Sequence, residues 1–144
     1  MNIKVKYHNS NIPKLEFIEG TKSNWIDLRA AENVVLKAGE AKKISLGVSM
    51  RLPEGYEAHV VPRSSTLDKW GVLQGNSMGV IDNTYSGNND IWKFEALAVR
   101  DTKINEGDRI CQFRLFPVMG AVNFDTVDYL EGPDRGGFGS TGTR

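Results

Sequence analysis

The residues best suited to chemistry stand in one polar stretch, Asn76 to Asn88, in which a short apolar run ends at a carboxylate. Val80 and Ile81 favour a strand, whereas Asp-Asn-Thr and Ser-Gly-Asn are turn sequences. The stretch therefore predicts a β-hairpin with Asp82 at its bend. A carboxylate on a rigid hairpin is a candidate general base, and the ring of Tyr85 can pack on a ligand ring. The alternative is a plain surface hairpin, because such turn residues are common.

Four further polar features stand apart from the apolar pattern. Arg63-Ser64-Ser65 follows a strand and opens a short helix, which makes either an anion cradle or a simple helix cap. Residues 107–112 form a tight turn entering a strand, as in an ordinary hairpin. The Gly-rich tail 134–142 is either a disordered terminus or a segment that orders over a phosphorylated ligand. Asp27, among apolar neighbours, is either partnered or at a strand edge.

Together these features supply anion binders, a carboxylate base and rings for stacking. Phosphoryl transfer depends mainly on charge neutralisation and on an oriented nucleophile. The combination therefore predicts hydrolysis of a nucleotide phosphate.

The composition narrows the class of protein. The chain has 144 residues, enough for one domain with a sizeable core. Lys and Arg equal Asp and Glu in number, so neither general nucleic-acid binding nor membrane-surface binding is expected. A single cysteine, Cys111, excludes an intrachain disulfide and argues against a cysteine-based metal site. With no apolar run of membrane-spanning length, we expect a soluble cytoplasmic protein.

The elements that must position these residues are short strands. Apolar residues alternate strictly from Ile44 to Leu52, which predicts one continuous strand. Residues 118–130 are expected to form a further extended segment. The only helix expected is Thr66–Trp70, capped by Ser64 or Ser65 and ended by Gly71. Many short strands with one helix predict an all-β barrel or sandwich over residues 1–130, followed by a flexible Gly-rich arm at 131–144.

Five segments in order resemble the motifs of the trimeric dUTPase family, closest to its phage- and Bacillus-type branch. They are Asn24–Leu28, Pro62–Ser65, Gly79–Gly87, Gly107–Gln112 and Arg135–Gly142. The resemblance implies a distorted jelly-roll or β-clip barrel that assembles as a homotrimer with exchange of the C-terminal arm. It also implies hydrolysis of dUTP to dUMP and diphosphate with Mg²⁺, which the triphosphate and water hold without direct protein ligands. Mg²⁺ readily keeps several waters.

The same resemblance assigns roles to individual residues. Asp82 would activate the attacking water, and Tyr85 would lie against the deoxyribose and exclude a 2′-hydroxyl. The residues implied to read the uracil edge are Asn76, Gly79, Val80 and Ile81. Those implied to hold the phosphates or to close over the nucleotide are Arg63, Ser64, Ser65, Gln112, Arg135, Phe138, Gly139, Ser140 and Thr141.

Three departures from the family pattern bear on these roles. Asn24-Trp25 replaces a small pair in the first motif, so Asp27 is expected to act behind the residues that touch substrate. Thr84 stands where an acid is common in the third motif. The fifth motif is shortened between Arg135 and Phe138, which makes Trp92 or Phe94 alternative lid aromatics, unless both pack in the core.

Two other functions remain open at this point. A dCTP deaminase of related fold is one alternative, although the Asp82 stretch and the tail fit a diphosphatase better. The second is a regulatory binding protein, since phage dUTPases of this kind can bind repressor proteins. Residues 91–102 or the tail would then form the binding surface.

Overall fold

The computed structural model describes residues 1–21, 23–139 and 142–143, and these form an almost entirely β structure with one short helix. The elements are β1 Lys4–Tyr7, β2 Ile26–Arg29, β3 Val34–Leu36, β4 Ala41–Ser45, β5 Val48–Arg51, β6 Tyr56–Pro62, α1 Thr66–Trp70, β7 Val72–Gln74, β8 Gly79–Ile81, β9 Lys93–Ala98, β10 Thr102–Ile104 and β11 Arg109–Pro117. The predicted fold class is confirmed. Among the described residues, no helix is long and apolar enough to cross a membrane.

The strands pair antiparallel in four small sheets. One has the order β2-β11-β6-β8, another the order β4-β9-β7, and β1-β5 and β10-β3 form two-stranded ribbons. Strand β6 is central, because it pairs with β11 from Cys111↔Pro62 to Pro117↔Tyr56 and with β8 from Val60↔Gly79 to Ala58↔Ile81. This shared strand links the segments that carry the predicted site.

The core collects the inward side chains of these sheets. Trp92, Phe94 and Phe113 are its largest buried members. The rings of Trp92 and Phe113 meet edge to face, with centroids 5.1 Å apart, a favourable aromatic arrangement. Trp92 and Phe94 are completely buried, which favours core packing over the alternative lid role predicted for them.

The predicted continuous strand from Ile44 to Leu52 is also wrong. It is broken at Gly47, where the chain turns with φ +68 and passes from β4 to β5. Trp92 joins the two sides of the break, because Leu46 N–H donates to its carbonyl and its own N–H donates to the Val48 carbonyl. All five alternating apolar residues are nevertheless buried. The alternating pattern therefore predicted which side chains are buried, but not that the strand is interrupted.

The predicted β-hairpin around Asp82 is not formed. Strand β8 pairs with β6, and the residues after Ile81 run through turns until β9 begins at Lys93, in a different sheet. The physical reason is local. The Asp82 carboxylate accepts hydrogen bonds from Thr84 N–H and Oγ1, so a turn closed by a side chain follows β8 where a returning strand was predicted.

The helix prediction is confirmed in its bounds and corrected in its cap. Gly71 ends α1 in the left-handed conformation, φ +61, with its N–H bonded to the Leu67 carbonyl. Ser65 occupies the N-cap position but makes no capping hydrogen bond. Thr66, the first helical residue, instead anchors the start of the helix to the sheet, since its Oγ1 accepts from Arg63 N–H at 2.8 Å and donates to the Ile110 carbonyl at 2.9 Å.

The chain after β11 leaves the barrel. Residues 119–139 are exposed throughout and form neither helix nor strand, although they include Phe124, Tyr129, Leu130 and Phe138. No described residue of the chain covers these aromatic and aliphatic side chains. A domain boundary at residue 130 stays a prediction.

We expect Gly47→Ala to destabilise the protein strongly. The added Cβ would lie 2.7 Å from the Ala31 Cβ, at a φ that L-residues disfavour. Backbone strain and overpacking together should lower the free energy of unfolding by about 2–4 kcal/mol, measured by urea denaturation. Gly39→Ala is the matched control, because φ is +88 there but nothing lies within 4 Å of the added atom. Equal losses in the two variants would contradict the crowding argument.

Candidate active site

The predicted site residues fall into two separate groups in one copy of the chain. The first, which we call the β8 loop, comprises residues 76–85. The second, which we call the β6 corner, comprises Arg63, Ser64, Ser65 and Gln112, with Asp27 beside them. The second half of the β8 loop, from Asp82, follows the Ala58 end of the β6–β8 pairing, whereas the β6 corner lies beyond the Val60 end, where residues 76–78 lead into β8.

The β8 loop presents main-chain groups at the edge of a sheet. Strand β8 is the last strand in the order β2-β11-β6-β8, so one side of its backbone has no strand partner among the described residues. Gly79 packs closely on β6, because a Cβ there would lie 3.3 Å from the Val60 Cβ. Asn76 is exposed, and the left-handed Ser77, φ +63, turns the chain into the strand. Such an open edge offers fixed donors and acceptors to a ligand.

Asp82 follows this edge directly and is held in a fixed orientation. Its Oδ1 accepts from Thr84 N–H at 3.0 Å and from Thr84 Oγ1 at 3.2 Å, and its carbonyl accepts from Tyr85 N–H at 3.0 Å. The residue is exposed, so water can reach the carboxylate. Fixed orientation with access to water is what a general base requires.

Tyr85 completes the β8 loop. Its N–H is fixed by Asp82, and its hydroxyl donates to the Ile91 carbonyl at 3.1 Å. The residue is held through its main chain and through its hydroxyl, yet Tyr85 remains 39% exposed. A ring that is held but uncovered is suited to pack on a ligand.

The β6 corner is organised by a carboxylate between two guanidinium groups. Asp27 Oδ1 lies 3.2 Å from Arg63 Nε, and its Oδ2 lies 3.4 Å from Arg109 Nη1. Arg63 Nη1 also donates to the Arg109 carbonyl at 3.1 Å. These side chains are partly exposed, so the ion pairs contribute at most about 1 kcal/mol each. Their main effect is to fix the position of the Arg63 guanidinium.

Gln112 lies at the centre of the same corner. It stands opposite Asp27 on β2 and opposite Val61 on β6, and its Nε2 donates to the Pro62 carbonyl at 3.1 Å. Ser64 is exposed and Ser65 half-buried at the start of α1. Hydroxyl, amide and guanidinium groups therefore converge where β6 meets α1, an arrangement able to bind an anion.

A cleft of about 380 Å³ opens next to this corner, between residues 12–23 and β2. Its lining includes Trp25, Asp27, Arg29 and Arg109. With Lys14 and Glu16, which also line it, the cleft carries three basic and two acidic side chains, a small local excess of positive charge in a chain that is neutral as a whole. The corner thus supplies the local basic site that an anionic ligand needs.

Cys111, next to Gln112 in the sequence, takes no part in this surface. It is completely buried, and burial, reinforced by the charge of Asp27, raises the pKa of its thiol well above the usual value. The group stays protonated and is a poor nucleophile.

Asp82 and the β6 corner do not meet in one copy. Ile81 stands opposite Ala58 on β6, so Asp82 lies beyond Ala58, toward the start of that strand. Arg63 is five residues further along in the opposite direction, which at ~3.3 Å per residue corresponds to about 17 Å. Asp82 and the groups of the β6 corner therefore lie toward opposite ends of β6.

The tail residues are not brought to either group in the described part of the chain. Arg135, Phe138 and Gly139 are exposed, and Phe138 is fully so. Ser140 and Thr141, which were predicted to close over phosphate, lie outside the described residues. Their roles stay predictions.

One residue of this site was not singled out by the sequence. Arg109 reaches Asp27 because the β11–β2 register shifts between Arg109 and Cys111. Such a β-bulge depends on pairing between distant strands, and the turn sequence before Arg109 gives no signal of it.

No direct metal site is apparent in the residues described. They contain no group of three or more His, Cys, Asp or Glu side chains placed to hold an ion. An ion such as Mg²⁺, which keeps water and phosphate oxygens as ligands, fits a surface of this kind without a protein cage.

The sequence comparisons identify the family. A dUTPase family profile matches residues 20–142. The SPbeta prophage-derived deoxyuridine 5′-triphosphate nucleotidohydrolase of Bacillus subtilis (strain 168) is 58% identical over 144 residues, covering all of both chains. The deoxyuridine 5′-triphosphate nucleotidohydrolase of Leifsonia xyli subsp. xyli is 43% identical over 118 residues, covering 81% of this chain and 77% of its own.

Solved structures support the same fold. A dUTPase variant of Staphylococcus bacteriophage 80alpha, determined with dUpNHpp, superposes with a TM-score of 0.79 at 22% identity over 99% of both chains. A dUTPase variant from phage phi11 of S. aureus, described with a structural Mg(II) ion, gives 0.76 at 21% identity over 90% of this chain and 98% of its own. Because the profile covers most of the sequence and the Bacillus relative matches it from end to end, this chain belongs to the dUTPase family.

Proposed function

We propose that the chain hydrolyses dUTP to dUMP and diphosphate, with Asp82 as the general base. The observation that carries this proposal is the geometry of Asp82, an exposed carboxylate fixed by Thr84 directly after an open sheet edge. The named activity of the Bacillus relative, identical at 58% of positions, supports the same substrate.

In this reaction Asp82 accepts a proton from water while the water oxygen attacks the α-phosphorus. The bond between the α-phosphorus and its bridging oxygen breaks, and diphosphate leaves with the bond electrons. The protein's task is mainly positioning and charge stabilisation. Arg63, Ser64, Ser65 and Gln112 are proposed to bind the phosphates, and Asp27 to hold Arg63 in place.

The uracil and the sugar are proposed to lie on the β8 loop. Main-chain groups of residues 79–81, with Asn76, would read the uracil edge, because a fixed pattern of donors and acceptors distinguishes uracil from cytosine. The half-exposed ring of Tyr85 would lie against the deoxyribose and leave no space for a 2′-hydroxyl. Mg²⁺, when bound through the triphosphate, supplies neutralisation of the phosphate charge.

The active site is proposed to form between copies of the chain in a homotrimer. Support comes from the separation along β6 between Asp82 and Arg63, at least about 17 Å at ~3.3 Å per residue, which is too large for one triphosphate to bridge in productive contact. Exposed apolar side chains after Pro117 provide a surface for contact with a neighbour. The arm from residue 131, with Arg135, Phe138 and Gly139, would cover the site of another copy.

The two alternative functions, a dCTP deaminase and a regulatory binding protein, differ in their support. The dUTPase profile and the named relatives favour the diphosphatase over a dCTP deaminase. A regulatory role is compatible with it, because one similar structure, at 21% identity, is described among phage dUTPases that control transfer of virulence genes. Within residues 91–102, Trp92, Phe94, Ala96 and Ala98 are buried. A repressor-type partner would therefore meet the tail or the exposed turn at 99–101.

We expect Asp82→Asn to remove turnover and to spare binding. The amide keeps the size of the side chain but cannot accept the proton, so kcat for dUTP should fall by about 10²–10⁴-fold. Affinity for dUpNHpp, measured by calorimetry, should change little. A variant that still turns over dUTP at the original rate would exclude Asp82 as the base.

We expect Tyr85→Ala to weaken discrimination against UTP. Removal of the ring opens space beside the sugar, so the ratio of kcat/KM for dUTP over UTP should fall at least about tenfold. Tyr85→Phe is the control, because it loses only the hydrogen bond to Ile91 and keeps the ring. Discrimination that survives in the alanine variant would rule out packing of the ring on the sugar.

Mixing two inactive variants tests whether the site is shared. In a 1:1 mixture of Asp82→Asn and Arg63→Ala subunits, refolded together, about a quarter of the inter-subunit sites combine an intact β8 loop with an intact β6 corner. Activity should therefore return to about that fraction. If both groups belonged to one copy, every site would carry one defect, and the mixture would stay inactive.

A further inference from the structure

The amide of Gln74 lies directly behind the β8 loop and joins two sheets. Gln74 ends β7, opposite Ala96 in the sheet β4-β9-β7. Its Nε2 donates to the Val60 carbonyl at 3.1 Å, and Val60 belongs to β6 in the other large sheet. Val60 is also the partner of Gly79, the first residue of β8. One side chain therefore ties the start of β8 to both sheets.

The contact with the loop is close. A Cβ on Gly79 would lie 3.4 Å from Gln74 Nε2, so the amide packs against the α-carbon of Gly79. The Gln74 carbonyl also accepts from Ser77 N–H at 3.0 Å, which closes the turn that carries Asn76. Main chain and side chain of one residue thus fix both ends of the segment 76–79.

A glutamine at this position is costly unless its polar atoms are used. Gln74 is 8% exposed, and its Oε1 is buried with no hydrogen-bond partner in the described part of the chain. A buried acceptor without a partner is unfavourable, and an apolar side chain of the same length would avoid this cost. The amide offsets part of this cost by donating a hydrogen bond to the Val60 carbonyl and by packing against Gly79.

We propose that Gln74 is a positioning residue for nucleobase recognition, which sets the main chain of residues 76–79 against the uracil edge. This inference rests on the proposed function, because it assumes that the β8 loop reads the base. Gln74 does not touch the reacting atoms. Its loss should weaken ground-state and transition-state binding alike, which raises KM and leaves kcat nearly unchanged.

The test is Gln74→Met in the full-length protein, with dUpNHpp affinity by calorimetry, dUTP kinetics and thermal melting. We expect affinity and KM to worsen about three- to tenfold, the effect of one neutral hydrogen bond, with kcat within about twofold. The melting temperature should stay within about 3 °C, because the lost hydrogen bond to Val60 is offset by removal of the unpartnered Oε1. Discrimination of dUTP against dCTP should fall with the affinity.

Ile104→Val is the control for stability alone. Ile104 is fully buried in the β10–β3 ribbon, which contains no candidate site residue. This variant should melt about 2–6 °C lower with wild-type affinity. Gln74→Glu is the second test, because it keeps the shape and the acceptor but loses the amide donor, and it should bind at least as weakly as the methionine variant.

Wild-type affinity for dUpNHpp in Gln74→Met or in Gln74→Glu would overturn the inference, and so would an equal loss in Ile104→Val. These outcomes differ from failure of the proposed function. In that case the unaltered protein would leave dUTP intact, whatever stands at position 74.

Discussion

The double pairing of β6 sets the geometry of the site. Because β6 bonds to β11 on one side and to β8 on the other, neither Gln112 nor Ile81, the residue before Asp82, can shift without breaking a ladder of backbone hydrogen bonds. The same pairing runs β8 antiparallel to β6, which sends Asp82 away from Arg63. A rigid sheet thus fixes each half of the chemistry and separates the two halves within one copy.

The charged side chains proposed to bind phosphate lie together just beyond the Pro62 end of β6. The chain has no net charge, so attraction for a triphosphate must come from local arrangement. Asp27 holds Arg63 through its Oδ1 and Arg109 through its Oδ2, which reduces the side-chain entropy that Arg63 would lose on binding phosphate. Asp27 lowers the local positive charge, but it holds the Arg63 guanidinium in place before phosphate binds.

Local sequence rules predicted the features that depend on neighbours in the chain. Burial of Ile44 to Leu52, the helix Thr66–Trp70 and its end at Gly71 all follow from spacing and backbone preference. The break at Gly47 and the β-bulge after Arg109 depend on contacts with distant strands, and alternation carries no information about them. The proposed site residues come from the ordered motifs and stay predictions. The sequence gives no indication of a supporting residue such as Gln74, because a glutamine next to apolar residues predicts an exposed position and not a buried one.

The exposed arm has a physical consequence for the proposed trimer. Burying Phe138 on a neighbour would contribute roughly 1.5–3 kcal/mol, whereas ordering each tail residue costs about 1–2 kcal/mol of backbone entropy. The tail is rich in glycine, which loses the most freedom on ordering. Docking of the arm on an empty site is therefore unfavourable by itself, and the charge attraction between Arg135 and a bound triphosphate must supply the difference. On this argument the arm closes in response to the nucleotide, and the site remains open to substrate until then.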